Sequence, residues 1–108
     1  MLNEFKKYLE DITYASPNQQ QKELWNISGV LKNRLNQKLK FDTRPLTKEG
    51  FKIGSFKTKA DKMVFFIDKW IIVDVEELHQ YLRENNVKDV QLEDLISKLD
   101  WNIILPKN

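Results

Sequence analysis

The sequence predicts a single α+β domain over residues 1–108, with its elements in the order α-α-β-β-β-α-α-β. Three observations lead to this prediction: apolar residues recur at helical spacing up to Leu39, the period changes to two after Gly50, and the helical period returns after Asp74. A three-strand meander and a C-terminal strand then form a small, mainly antiparallel sheet, with two helices before the meander and two after it. A chain of 108 residues that is 41% hydrophobic can form one core, and neither a repeat nor a long linker divides it.

The first helix is predicted from apolar residues on one helical face, which are Leu2, Phe5, Tyr8, Leu9 and Ile12. Ser16 and Pro17 mark the start of the second helix, because a serine hydroxyl can accept an unpaired amide of the first turn and proline suits the first helical position. Gln19 completes a capping box with Ser16.

The second helix is expected over residues 17–39. Its apolar stripe consists of Leu24, Ile27, Leu31 and Leu35. Ser28 and Gly29 lie in the middle of this stripe, where glycine costs about 1 kcal/mol relative to alanine. They predict a kink or a site of close packing, and a break into two helices is the alternative.

The meander is predicted between Gly50 and Asp74. Its first strand starts at Phe51, and Gly54 and Ser55 form a β-bulge within it. Residues 63–67 are apolar on both faces and form an interior strand. Asp68 and Lys69 make a two-residue turn, and residues 70–73 return as the third strand.

The C-terminal part is predicted as two helices and a strand. Asp74 caps the third helix and Glu77 takes the reciprocal capping position, while Asn85 and Asn86 end this helix. A connector or a short strand follows over residues 87–91. Apolar spacing predicts a last helix from Leu92, Leu95, Ile96 and Leu99. The closing strand covers residues 101–105 and ends before Pro106.

Several classes of activity lack the residues they need. The chain has no cysteine and one histidine, which argues against a thiolate or zinc site, and it has no phosphate-binding glycine loop. Asp68, Asp74, Glu76 and Glu77 could hold Mg²⁺ in a nuclease, but helix capping accounts for Asp74 and Glu77 without a metal. His79 is expected at the surface or at its boundary. We therefore expect no enzyme activity, no metal and no cofactor.

The N-terminal residues turn charged at once, and no apolar run approaches the roughly 20 residues of a membrane span. No secretory signal and no membrane contact are therefore expected. A cytoplasmic location is the default expectation.

The net charge of +2 conceals an uneven distribution of charge. Residues 30–62 hold ten basic and three acidic side chains, whereas residues 63–108 hold five basic and nine acidic ones. A basic segment with interspersed phenylalanines favours contact with nucleic acid or a nucleoprotein complex, through phosphates and stacked bases. The residues predicted for this contact are Lys40, Arg44, Lys48, Lys52, Phe56, Lys57 and Lys59. Lysines that merely solvate the surface are the competing explanation.

The alternative function is a protein-binding module of the inhibitor, immunity or adaptor kind, such as mobile elements encode. In this interpretation the acidic C-terminal half meets a partner protein, and Trp25 is a partly exposed ring at the interface. The residues predicted to touch the partner are Trp25, Glu76, Glu77 and Glu84. The basic and acidic regions of two copies could also join, which would make a homodimer.

Overall fold

The structure is a computed structural model, and it describes residues 2–32, 36–45, 51–52, 58–66, 69–85, 89–90 and 96–106. The helices within these ranges are α1 (Leu2–Phe5), a 3₁₀ turn (Lys6–Tyr8), α2 (Pro17–Lys22) and the long α3 (Val75–Asn85). The strands are β1 (Leu9–Tyr14), β2 (Ile27–Leu31), β3 (Lys38–Pro45), β4 (Phe51–Lys52), β5 (Lys62–Phe66), β6 (Trp70–Asp74), β7 (Asp89–Val90) and β8 (Asn102–Leu105).

Six of these strands form one mixed sheet in the order β1-β2-β3-β5-β6-β8. Neighbouring strands in it are antiparallel except β3 and β5, which run parallel. β4 and β7 form a separate antiparallel pair. The sheet therefore has β1 at one edge and β8 at the other.

Buried side chains lie on both faces of the sheet, because successive residues of a strand point to opposite sides. On one face Met63 and Phe65 pack in a cluster with Leu78 of α3. On the other face Val64 packs in a cluster with Phe5 of α1. We call these the α3 face and the α1 face. The predicted interior strand is thus confirmed as β5, which is buried on both sides.

The predicted order of elements is wrong, and so is the three-strand meander, because β4 pairs with β7 and β5 pairs with β3. Where the second helix is expected, the structure has α2 of six residues, followed by β2 and β3. The predicted first helix ends early, because β1 begins at Leu9. Ile27 and Leu31 fit both kinds of structure, because residues four apart share a face in a strand as well as in a helix. The capping box of Ser16 and Gln19 is confirmed, but the helix that it starts is short.

The C-terminal predictions match the structure more closely. The pairing of β5 with β6, the start of a helix after Asp74 and the closing strand are all present. The predicted bulge at Gly54 and Ser55 lies outside the described residues, as do part of the turn at Asp68 and Lys69 and most of the last helix.

Gly29 allows β1 and β2 to approach closely, which agrees with the predicted site of close packing. A Cβ atom at this position would lie 2.9 Å from the carbonyl oxygen of Glu10 and 3.2 Å from Cβ of Leu9. The pairing of the two strands shifts register between Glu10 and Thr13, and Asp11 has a φ of 51°. Gly29 therefore faces a β-bulge in the edge strand.

We expect Gly29→Ala to lower the free energy of unfolding by about 1–3 kcal/mol, because the added methyl group overlaps the backbone of β1. Urea denaturation measures the change. Without the overlap, alanine in a strand would raise the stability by roughly 0.5–1 kcal/mol. A stabilised variant would therefore contradict the close approach.

Candidate functional site

A polar cavity of about 550 Å³ lies where β5 begins and β6 passes into α3. Its charged and titratable lining consists of Asp61, Lys62, Asp74, Glu76, His79 and Arg83. These residues come from the end of the sheet and from the first three turns of α3. The cavity brings together two of the four acidic side chains of the predicted cluster, Asp74 and Glu76, and one lysine of the basic segment, Lys62.

Asp74 joins three elements at this cavity. Its Oδ1 lies 2.7 Å from Nζ of Lys62 at the start of β5, and its Oδ2 accepts a hydrogen bond of 3.0 Å from the backbone N–H of Glu77. The second bond caps α3 as predicted. Nζ of Lys62 also lies 3.8 Å from the centre of the Trp101 ring. The lysine charge is thus held by a carboxylate and an aromatic face.

Glu77 serves the structure in a different way from the predicted one. Its carboxylate accepts hydrogen bonds from the backbone N–H groups of Asp100 and Trp101. Glu77 therefore fixes the segment that leads into β8, and it does not return to the Asp74 backbone to close a capping box.

Asp61 also has a structural role. Its carboxylate accepts a hydrogen bond of 2.8 Å from the backbone N–H of Lys40, and its carbonyl oxygen accepts one of 3.1 Å from the N–H of Val75. Asp61 thus ties β3 to the start of α3. Two of the three carboxylates in the cavity lining, Asp61 and Asp74, are occupied by contacts within the chain. Glu76 is exposed.

His79 lies half-buried on α3, one turn before Arg83. Burial lowers the pKa of His79 below its ordinary value, and the positive charge of Arg83 lowers it further. Both effects favour the neutral imidazole over the charged one. A search of the described ranges finds no three His, Asp or Glu side chains that converge on a point where a metal ion could bind.

The basic segment does not form a single patch in the described residues. Four of its cations have carboxylate partners: Lys38 with Asp11 at 3.7 Å, Lys40 with Glu23 at 3.7 Å, Arg44 with Asp42 at 2.9 Å, and Lys62 with Asp74 at 2.7 Å. Lys38, Lys40 and Arg44 alternate along β3 with residues of the α1 face, so they point to the α3 face. Lys62 lies on the α1 face, above Trp101.

The other residues predicted for nucleic-acid contact are only partly visible. Lys59 is exposed. Lys52 lies in β4, opposite Asp89 of β7, and only its backbone is described. Lys48, Phe56 and Lys57 lie outside the described residues.

The predicted exposure of Trp25 is wrong. The ring is 3% exposed, its indole N–H donates to Glu23 at 2.9 Å, and Nζ of Lys40 lies 5.3 Å from the ring centre. Trp25 lies just after the short helix α2, whereas the sequence predicts it in the middle of a long helix. In this position its ring covers the α3 face of the sheet. Glu76 and Glu84 are exposed on α3, and Glu84 accepts a hydrogen bond from Gln80.

Both edges of the sheet carry apolar side chains that sequence reasoning missed. The large exposed hydrophobic residues of the described ranges are Ile12 and Tyr14 on β1 and Ile104 on β8, with 37%, 51% and 45% of their surface exposed. Helical spacing had placed Ile12 in the core. No local signal distinguishes these positions, because their exposure depends on which strands end the sheet.

No family model, curated protein or solved structure matches this chain. In the part of the chain that the structure describes, no helix combines the length and the apolar character that crossing a membrane requires.

We expect acidification from about pH 7.5 to about pH 5.5 to destabilise the protein through His79. Because the folded state holds the pKa of His79 low, the unfolded state binds the proton more tightly, and stability falls as the pH drops through about 6.5. Denaturant titrations at several pH values measure this slope. His79→Gln should flatten it in this window, and equal slopes for the two proteins would contradict the burial effect.

Proposed function

We propose that this chain is a small non-enzymatic protein that binds another protein through the β1 edge of its sheet. The observation that carries this proposal is the exposure of Ile12 and Tyr14, two residues apart on the same edge strand. Side chains two residues apart in a strand point to the same side, so together they offer one apolar contact. Exposed contiguous apolar surface is typical of sites that bind other proteins.

The chemistry around these side chains indicates the kind of partner surface. Tyr14 provides a large ring with a polar tip, a type of residue enriched in the energetic centres of interfaces. Glu10 and Asp11 precede them on β1 and are exposed, and Asp11 keeps 72% of its side chain accessible while it pairs with Lys38 at 3.7 Å. An apolar partner surface rimmed by lysine or arginine would match this edge.

An inhibitor, immunity or adaptor protein is the class that fits this surface. Such proteins act by occupying a partner and need no catalytic group of their own. The exposed carboxylates of Glu76 and Glu84 on α3 are further candidate contacts, and charge reversal at both positions tests them in the same binding assay.

We expect Tyr14→Ser and Ile12→Ser each to weaken partner binding about 30-fold, which corresponds to the roughly 2 kcal/mol of an interface hot spot. A photocrosslinking residue at position 14 first identifies the partner in cells. Calorimetric titration of the purified pair then measures the affinity. Because both side chains are exposed, the variants should remain folded.

Gln21→Ser on the exposed side of α2 is the matched control, and it should bind as the unchanged protein does. A partner that crosslinks at position 14 but binds both β1 variants with unaltered affinity would disprove the proposed surface. So would a partner that loses affinity only on reversal of Glu76 and Glu84.

A second candidate function, contact with nucleic acid, rests on a separate observation. Lys32 and Lys59 are exposed, and they belong to a segment with a strong excess of basic residues. Cations without a carboxylate neighbour can replace the counterions of a phosphate backbone. Lys40 and Arg44 are less suited to phosphate binding, because a phosphate would have to break the ion pairs that they already form.

If this second function holds, fluorescent single- and double-stranded oligonucleotides should bind with micromolar affinity that falls steeply with salt. The triple variant Lys52→Glu, Lys57→Glu, Lys59→Glu should abolish binding. The control variant replaces three other lysines with glutamate and therefore changes the net charge by the same amount. These lysines are Lys22, Lys69 and Lys98, and all three are exposed. Equal losses in both variants, or no binding at low salt, would contradict a specific basic surface.

A further inference from the structure

β8 is an edge strand with features that favour pairing with another strand. Among the strands that the structure describes, it is bonded to β6 alone. Its four residues, Asn102 to Leu105, contain no charge, and Ile104 is 45% exposed. An uncharged edge strand presents backbone N–H and C=O groups that another strand can bond.

The opposite edge is protected in the ways that usually prevent such pairing. β1 contains the bulge at Asp11 and carries the acidic side chains of Glu10 and Asp11. Bulges and charges on edge strands oppose pairing between molecules. β8 has neither of them, and Pro106 only terminates it. The two edges of one sheet therefore differ in their readiness to bind a strand.

β8 is also held in place at both ends. Glu77 binds the backbone of Asp100 and Trp101 just before the strand, and the hydroxyl of Tyr8 donates to the carbonyl oxygen of Pro106 just after it. A strand that is already ordered loses little entropy when it pairs.

We propose that two copies of this chain associate through antiparallel pairing of their β8 strands, about a two-fold axis beside Ile104. In a two-fold antiparallel pair one residue lies opposite its own copy. Ile104 pairs within the chain with Ile71 of the α3 face, so its exposed side chain points to that face. Placing the axis at Ile104 buries this side chain against the Ile104 of the second copy.

The charges around β8 favour a second copy as the occupant. In the sequence, acidic Asp100 precedes the strand by two positions and basic Lys107 follows it by two. Antiparallel pairing brings the acidic end of each strand beside the basic end of the other, and no like charges face each other along the strands. This interface differs from the contact between basic and acidic regions that the charge distribution suggests, and it leaves β1 accessible in both copies.

The test is the mass of the protein in solution, measured by light scattering and sedimentation over a range of concentrations. We expect a concentration-dependent species of twice the 12.9 kDa chain mass. Ile104→Lys should convert it to the monomer, because it brings two like charges together at the axis. Ile12→Lys places the same charge on the β1 edge and should leave the dimer intact. Circular dichroism establishes that both variants are folded.

Because the chain has no cysteine, a single introduced thiol reports the geometry of the pair. Ile104→Cys should form an intermolecular disulfide under mild oxidation, whereas Ile12→Cys should not. Asp100→Lys should weaken the dimer, and adding Lys107→Asp should restore it. A monomer at every concentration, or a dimer that Ile104→Lys leaves unchanged, would overturn the proposal. Neither outcome affects the partner-binding test at Tyr14, which probes the other edge.

Discussion

The Asp74 carboxylate is the constraint on which the arrangement of the C-terminal half depends. It stands at the end of β6, where one oxygen pairs with Lys62 of β5 and the other caps α3. A lysine side chain that is 11% exposed needs such a partner, because an uncompensated charge at that depth is costly. The ion pair therefore aligns two strands, and the cap directs the chain from the sheet into the helix.

The same contacts give several of the acidic side chains here a role within the fold. Once Asp74 starts α3, Glu77 lies one turn later and reaches the segment before β8. Asp61 is a third acidic residue with a structural role, because it joins β3 to Val75. Each of these carboxylates satisfies backbone groups or a cation that folding removes from water. Glu76, by contrast, is exposed.

The sequence predicts β5, β6 and α3 correctly because their signals are local. A continuous apolar run, a returning run and a capping aspartate each lie within a few residues. The N-terminal half fails because its structure depends on distant partners. Ile27 and Leu31 fit a helix and a strand equally well, and position 29 requires glycine because a Cβ atom there would lie 2.9 Å from the carbonyl oxygen of Glu10 in β1. The parallel pairing of β3 with β5 and the burial of Trp25 have no local signal at all.

The candidate sites differ from the predicted ones for a related reason. Counting charges along a segment ignores the carboxylates that folding brings to it, and Asp11 and Glu23 come from outside the basic segment to pair with Lys38 and Lys40. Charge that is balanced in this way contributes little to binding a polyanion. The two edge strands of the sheet are less fully satisfied by folding. Each has no outer neighbour, so some of its backbone groups and apolar side chains stay in water. The contacts that we propose at β1 and β8 use the groups that folding leaves exposed to water.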